Sequence, residues 1–315
     1  MKTIATLALS PTAAHLAQAS TILQNGGLVA FPTETVYGLG ADASNDHAVA
    51  KIYQAKGRPQ FNPLIVHVAN VQTARRFVQW NALADQLAQA FWPGPLTLVL
   101  PRKKDAVLSD LLSAGLPTIA IRVPKHPVAK ALLTQFGGAV AAPSANPSGQ
   151  ISPTSPAHVR SGLDGRIDAI VDGAVCTVGL ESTIVQLDDG AVLLRPGGVA
   201  VEDIEKEIGR PVSIRPNVKK ITAPGQLNSH YAPQAKVRLD AKHWRPDEAR
   251  LGFGAVDCDL NLSLSADLVE AAANLFAHLH HLDAEGKATI AVSPIPQTGL
   301  GLAINDRLNR AAAPR

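Results

Sequence analysis

The sequence predicts an α/β protein: a long unit built on a mixed sheet with flanking helices, followed by a smaller α/β unit. Three observations carry this. From about residue 12 to 198, short apolar strand-like runs alternate with helical patterns. Prolines then crowd residues 209–235, and the alternation resumes beyond them. At 315 residues the chain exceeds one typical domain and is short for three. The expected organisation is therefore a main unit over 1–208, a Pro-rich linker over 209–235 and a small unit over 236–315.

Taken in order, Lys2 and the apolar run 3–9 imitate the start of a secretory signal, but the run is short and stops at Ser10-Pro11. Ser10 as N-cap and Pro11 at the first position open an amphipathic helix instead. Leu16, Ala19, Ile22 and Leu23 recur at its spacing, and Asn25-Gly26-Gly27 stop it. Strands are predicted at 28–31, 64–68, 96–100, 118–123, 139–142, 169–172, 183–187 and 192–194, and helices at 46–56, 71–80, 82–91, 127–135 and 201–208. The last two strands, separated by Asp188-Asp189-Gly190, read as a hairpin. Arg210-Pro211, Arg215-Pro216, Ala223-Pro224-Gly225 and Ala232-Pro233 make the linker neither helix nor central strand. The small unit has strands near 236–239, 250–253 and 288–292, with helices near 266–281 and 300–311.

Composition excludes several classes. Hydrophobic residues, at 46%, suffice for ordinary cores, and no apolar run approaches membrane-spanning length, so a soluble, cytoplasmic protein is expected. A net charge of +3 does not by itself argue for nucleic acid. Two cysteines without CxxC spacing make neither a disulfide framework nor a zinc site, which suits a reducing compartment. The one Gly-Lys, Gly286-Lys287, has His281 in place of the first P-loop glycine and Ala288 after the lysine. There is also no GxGxxG, HExxH or GxSxG. His278, His280 and His281 lack a carboxylate or cysteine to complete a metal site and read as solvated helix-end residues.

The chemistry concentrates where strands end. Phe31-Pro32-Thr33-Glu34-Thr35-Val36-Tyr37-Gly38-Leu39-Gly40 breaks a strand at a proline and delivers two hydroxyls and a carboxylate together. A helix's length later comes Lys56-Gly57-Arg58-Pro59, which suits an anion and equally compensates a helix dipole. Asn62-Pro63 precedes a buried strand carrying His67, which reads either as a core histidine or as part of that cluster. Pro143-Ser144-Ala145-Asn146-Pro147-Ser148-Gly149, with Ser152 beyond, is a turn whose small residues admit a ligand close to the backbone. Arg122, at a strand end, requires a ligand or a buried acid if it points inward. Glu181-Ser182-Thr183 and Arg195-Pro196-Gly197-Gly198 add polar groups at two more strand edges.

In this order, and with Trp92-Pro93-Gly94-Pro95-Leu96-Thr97 and Ile121-Arg122-Val123-Pro124, these motifs resemble the YrdC-like family. Within it, the arrangement is similar to the longer, two-domain L-threonylcarbamoyl-AMP synthases. The resemblance is dense over 12–198, continues into Asn228-Ser229-His230-Tyr231-Ala232-Pro233, and is only topological over 236–315. It implies a YrdC-like twisted mixed sheet with flanking helices plus a Rossmann-like C-terminal domain. It also implies that L-threonine, bicarbonate and ATP give threonylcarbamoyl-adenylate and pyrophosphate, and that a tRNA threonylcarbamoyl transferase complex uses the product beside the anticodon.

By that resemblance Thr35, His67, Arg122, Ala142 and Ser182 would hold threonine. Lys56, Arg58, Asn62, Thr118, Ser144, Asn146, Ser152, Arg195 and Tyr231 would hold ATP. Lys56 and Arg58, with the Ser144-x-Asn146 pair, would be the reacting hallmark. Mg2+ would arrive with the triphosphate, and the linker would act as a lid that keeps water from the adenylate. Two other readings compete. One is a YrdC-like RNA-binding module, with a weak tRNA contact as its milder form. The other is the chemistry of carbamoyl-phosphate-using maturation factors, whose acylphosphatase-like and zinc-finger modules do not fit here.

Overall fold

The structure is a computed structural model that describes residues 4–59, 61–187, 190–214, 225 and 229–314. The chain opens with strand β1 (Leu7–Leu9), helix α1 (Ala13–Gln24) and strands β2 (Val29–Phe31) and β3 (Gly38–Asp42). Helix α2 (Asp46–Lys56), strand β4 (Ile65–His67), the single turn α3 (Val71–Ala74) and helix α4 (Ala82–Phe91) follow. Next come β5 (Leu96–Pro101), β6 (Thr118–Arg122), α5 (Pro127–Phe136), β7 (Val140–Ala141), α6 (Pro156–Leu163) and β8 (Ala169–Val171). The long unit closes with the hairpin β9 (Thr183–Leu187) and β10 (Ala191–Arg195), helix α7 (Val201–Ile208) and edge strand β11 (Ser213–Ile214).

Among the described residues these strands form one mixed sheet in the order β1-β8-β2-β3-β7-β4-β6-β5-β9-β10-β11. Both faces are covered, so its central strands are buried throughout. Alternation along β2 shows the two layers. Ala30 packs with Leu39, Val66 and Ile121 on one face, while Val29 and Phe31 pack with Leu23 and Leu132 on the other. Asn45 caps α2 by accepting from the Ala48 N–H, and Gly57, at φ 60°, ends it in the left-handed region. That stop leaves Lys56 and Arg58 beside the ends of β3 and β7.

The second unit contains β12 (Lys236–Arg238), β13 (Glu248–Gly252), β14 (Leu260–Asn261), helix α8 (Leu268–Ala284), β15 (Thr289–Val292) and helix α9 (Leu300–Ala312). Its sheet, in the order β12-β15-β13-β14, is parallel throughout. Its core does not stop at the unit's edge. Val36, Ile151 and Leu180 of the long unit are buried in one cluster with Leu275, Phe276 and Leu279 of α8 and Ile304 and Leu308 of α9. Gly179, at φ +72°, lies so close to α8 that a Cβ would stand 2.4 Å from the Ala272 carbonyl oxygen. No side chain fits there.

Several expectations are corrected. The helix cap is Thr12, whose hydroxyl accepts from the His15 N–H, and part of the apolar run ahead of it is strand β1. The stretch 38–42 is a strand, not the tail of a polar turn. The helix expected over 71–80 is the one turn α3, because Val78 bridges to Arg102 in sheet fashion. The hairpin pairs as expected, but Asp188 and Asp189 of its turn lie outside the described residues. So do Arg215, Pro216, Ala223 and Pro224 of the linker, and Asn228.

Candidate active site

The site is assembled from strand ends that the sheet order brings side by side. Pro32 ends β2, and Thr33 then closes a local turn. Its hydroxyl donates to the Val36 carbonyl at 2.7 Å and accepts from the N–H groups of Thr35 and Val36. The Thr35 hydroxyl lies 2.7 Å from that of Thr33 and accepts from Arg122 Nη1 at 2.9 Å. Arg122 ends β6 directly opposite His67 on β4. Its acid partner is Glu34, whose Oε1 accepts from Nη2 at 2.6 Å, while Nε donates to the Gly94 carbonyl. Glu34 Oε2 accepts from the Lys125 N–H, so the carboxylate is used on both oxygens.

His67 is fully enclosed, and its Nδ1 has no hydrogen-bond partner among the described residues. Burial, with Arg122 alongside, pushes it down to about 3, so the ring is neutral at neutral pH. His230 behaves alike: burial, with Arg58 and other cations near, lowers it to about 3. Both rings take up a proton in the unfolded chain near 6.5 but not in the folded one. The stability they confer is therefore complete above about pH 6.5 and is lost as pH falls toward 3, at about 1.4 kcal/mol per pH unit for each ring. Chemical denaturation at pH 7.5 and pH 5 should show the fold weakened by at least about 4 kcal/mol at the lower pH, since burial also pushes His158 down to about 4 and lowers His280. His67→Gln should reduce that difference by about 2 kcal/mol; equal stability of the parent protein at the two pH values would refute the assignment.

On the other side of the cavity the cations differ in what they hold. Lys56 is buried, and its ammonium donates to the carbonyls of Ser144 and Asn146, each at 2.5 Å. The Ser148 N–H returns a bond to the Lys56 carbonyl, and Asn146 Nδ2 donates to the carbonyls of Pro147 and Gln150. The lysine thus locks the Ser144-x-Asn146 turn in place. Arg58 donates to the carbonyls of Asn62 and Pro63 and makes no ion pair with a carboxylate among the described residues. Burial, with Arg195 near, pushes it down to about 10, the mark of a cation whose charge is poorly compensated. Arg195 donates through Nη2 to the Ser182 carbonyl at 2.8 Å.

One cavity gathers all five residues expected around threonine, Thr35, His67, Arg122, Ala142 and Ser182, with Arg58, Ser144, Arg195 and Tyr231 from the nucleotide set. Lys56 and Asn146 stand behind this wall as the clamp just described. Ser152 also stands behind it, donating to Glu181 Oε1 at 2.5 Å. Asn62 is buried under Arg58, and neither polar atom of its side chain has a partner among the described residues. Thr118 begins β6, at the end of the strand away from Arg122, and does not line the cavity. Of the linker, Gly225, His230 and Tyr231 wall the cavity; 215–224 and 226–228 of the segment expected to act as a lid lie outside the described residues.

Sequence reasoning missed Glu34 as the arginine's partner, and it missed Glu181, His230 and Thr97, whose hydroxyl meets that of Ser182 at 2.7 Å. Glu181, His230 and Thr97 stand within motifs of the sequence, which was their only signal. The histidines of α8 are also corrected. His281 is exposed, but His280 stacks on His158 with ring centroids 3.9 Å apart and its Nε2 3.2 Å from the Ser152 carbonyl. Among the described residues no three His, Cys, Asp or Glu side chains are grouped to hold a metal ion.

Residues 21–197 match the Sua5/YciO/YrdC family model, described as telomere recombination. The chain belongs to this YrdC-like family. Residues 199–313 match a second model, described as the C-terminal domain of threonylcarbamoyl-AMP synthase, so it is the long form of this family that the chain follows. A Bacillus subtilis protein named threonylcarbamoyl-AMP synthase is 42% identical over 98% of this chain and 95% of its own length. A Schizosaccharomyces pombe protein of the same name is 37% identical over 96% and 90%. The crystal structure of the Pyrococcus abyssi Sua5 protein complexed with L-threonine superposes with a TM-score of 0.89, at 38% identity and 97% coverage of both chains. The YrdC-like fold is therefore shared over the long unit and the Sua5 arrangement over both, and no helix among the described residues is long and apolar enough to cross a membrane.

Proposed function

We propose that this YrdC-like protein condenses L-threonine, bicarbonate and ATP into threonylcarbamoyl-adenylate and pyrophosphate, for modification of the tRNA adenosine beside the anticodon. The observation that carries the reading is one cavity with two chemically different walls. A threonine hydroxyl, a neutral imidazole and Arg122 form one. Arg58 and Arg195 form the other.

Three of the five N–H donors of Arg122 are spent on Gly94, Thr35 and Glu34, which leaves one on each terminal nitrogen. That pair suits the two oxygens of the threonine carboxylate. Threonine's amine and bicarbonate condense to a carbamate with loss of water. A carbamate oxygen then forms a bond to the α-phosphorus as the bond to the β-phosphate oxygen breaks and pyrophosphate leaves. Such a displacement needs alignment and charge neutralisation more than a protein nucleophile. Arg58 and Arg195 supply the neutralisation, the Lys56-locked turn presents Ser144, and Mg2+ enters as part of the triphosphate substrate. The product would pass to a tRNA threonylcarbamoyl transferase complex, in the cytoplasm where the two free cysteines stay reduced.

The test is pyrophosphate release by the purified chain with ATP, Mg2+ and bicarbonate, with and without L-threonine. Release that depends on both threonine and bicarbonate is expected. Release indifferent to threonine, or none alongside salt-sensitive RNA binding, would overturn the reading.

A further inference from the structure

Among the described residues, the largest side chain wholly removed from solvent is not in the sheet's core. It is Arg307, on α9 of the second unit, with 0% exposure. Its charge is directed across to the long unit. Nε donates to Glu181 Oε2 at 2.7 Å, and Nη2 donates to the Pro196 carbonyl at 2.9 Å. Nη1 donates to its neighbour Asp306, and the guanidinium lies 5.1 Å from the centre of the Tyr231 ring. Arg307 does not line the cavity. Glu181 and Tyr231 do, and Pro196 directly follows Arg195, which does.

Through Glu181 it reaches Ser152, whose hydroxyl occupies the other carboxylate oxygen. Through Pro196 it fixes the turn that directly follows Arg195. Through its flat face it backs Tyr231, whose other neighbour is Phe276 of α8. Ser152, Arg195 and Tyr231 are three of the groups assigned to the nucleotide, and they stand on three separate segments of chain. One guanidinium ties them together. On the threonine side, Glu34 holds Arg122, which holds Thr35, and neither is bonded to Arg307; Ser182, next to Glu181 and bonded by Arg195, is where the two halves meet.

We propose that Arg307 is a positioning residue for the nucleotide half of the site, by which the second unit sets ATP affinity without touching ATP. The inference rests on the adenylate-forming reading above for its kinetic form. A fork with three donors and an aromatic face is what the role requires, so lysine is a poor substitute.

The experiment measures KM for ATP and for threonine separately in the full-length chain, with thermal melting of each variant. Arg307→Met should raise KM for ATP about tenfold or more while KM for threonine rises no more than about threefold, because of the threonine groups only Ser182 is tied to Arg195. Arg307→Lys keeps a charge opposite Glu181, melts close to the parent protein, and should fall between the two in KM for ATP. A purely structural role would lower the melting temperature without separating the two constants. Wild-type KM for ATP in Arg307→Lys and Arg307→Met, or constants that rise together, would overturn the proposal. If Arg307→Met does not fold, Arg307→Lys decides alone on the same criteria. If the parent protein releases no threonine-dependent pyrophosphate, the function reading fails separately. Calorimetric titration of ATP into the parent protein and Arg307→Lys then decides this proposal, with unchanged affinity counting against it.

Discussion

Arg58→Ala should lower threonine-dependent pyrophosphate release by about 10²–10³-fold and leave the fold standing. The reason lies in what Arg58 does not hold. Its two bonds run to the carbonyls of Asn62 and Pro63, and no carboxylate among the described residues neutralises it. The charge is thus available to a phosphate, and the low-dielectric wall around it makes that attraction stronger than in water. Loss of two neutral-acceptor bonds costs stability only about 1–3 kcal/mol. Arg58→Lys should recover part of the rate, since it restores charge without a fork able to hold backbone and phosphate together. The check is kcat/KM beside a denaturation curve. Retention of more than about a tenth of the parent rate by Arg58→Ala would remove Arg58 from the reacting end of the site.

Arg122→Leu should have the opposite balance, with a large loss of stability as well as of threonine use. Arg122 and Glu34 have side chains only 4% and 5% exposed, so deleting the arginine strands a carboxylate where water cannot reach it. Breaking a buried pair from one side costs about 3–5 kcal/mol. Replacing both members by apolar residues often costs little, because no charge is left behind. Arg122→Leu combined with Glu34→Leu should therefore melt closer to the parent protein than Arg122→Leu alone, yet still fail to respond to threonine. Urea denaturation gives the first comparison and threonine titration the second. If the double variant regains threonine dependence, Arg122 is only a structural partner of Glu34.

These pairs also show how far residue identities reach. That Arg122 needed an acid or a ligand was legible, since an inward arginine cannot go unmatched. Which acid was not legible, because Glu34 stands 88 positions away and only the sheet order joins them. Lys56 and Ser144-x-Asn146 were recognised as paired motifs, but the lysine is spent on backbone carbonyls, and every residue has one. Strand β3 was hidden for a related reason. Gly38 and Gly40 show no apolar alternation, and the room that a side chain on Gly40 would need is filled by the ring of Phe31. Arg307 carried no signal at all. Asp306 and Arg310 make an ordinary i,i+4 ion pair on α9, and Arg307 between them looks like another surface charge.

The contact at Gly179 bears on how the two units could move. Backbone there meets backbone, with no side chain to act as a bearing between them. If α8 slid along its own axis, the bulk of Val269 or Phe276 would come toward a gap that admits not even a methyl group. Lifting the two units directly apart meets no such obstruction. The joint is stiff to shear, and it parts only by opening the shared core and the Arg307–Glu181 pair. Gly179→Ala would act as a wedge that props the joint partly open even before any substrate arrives.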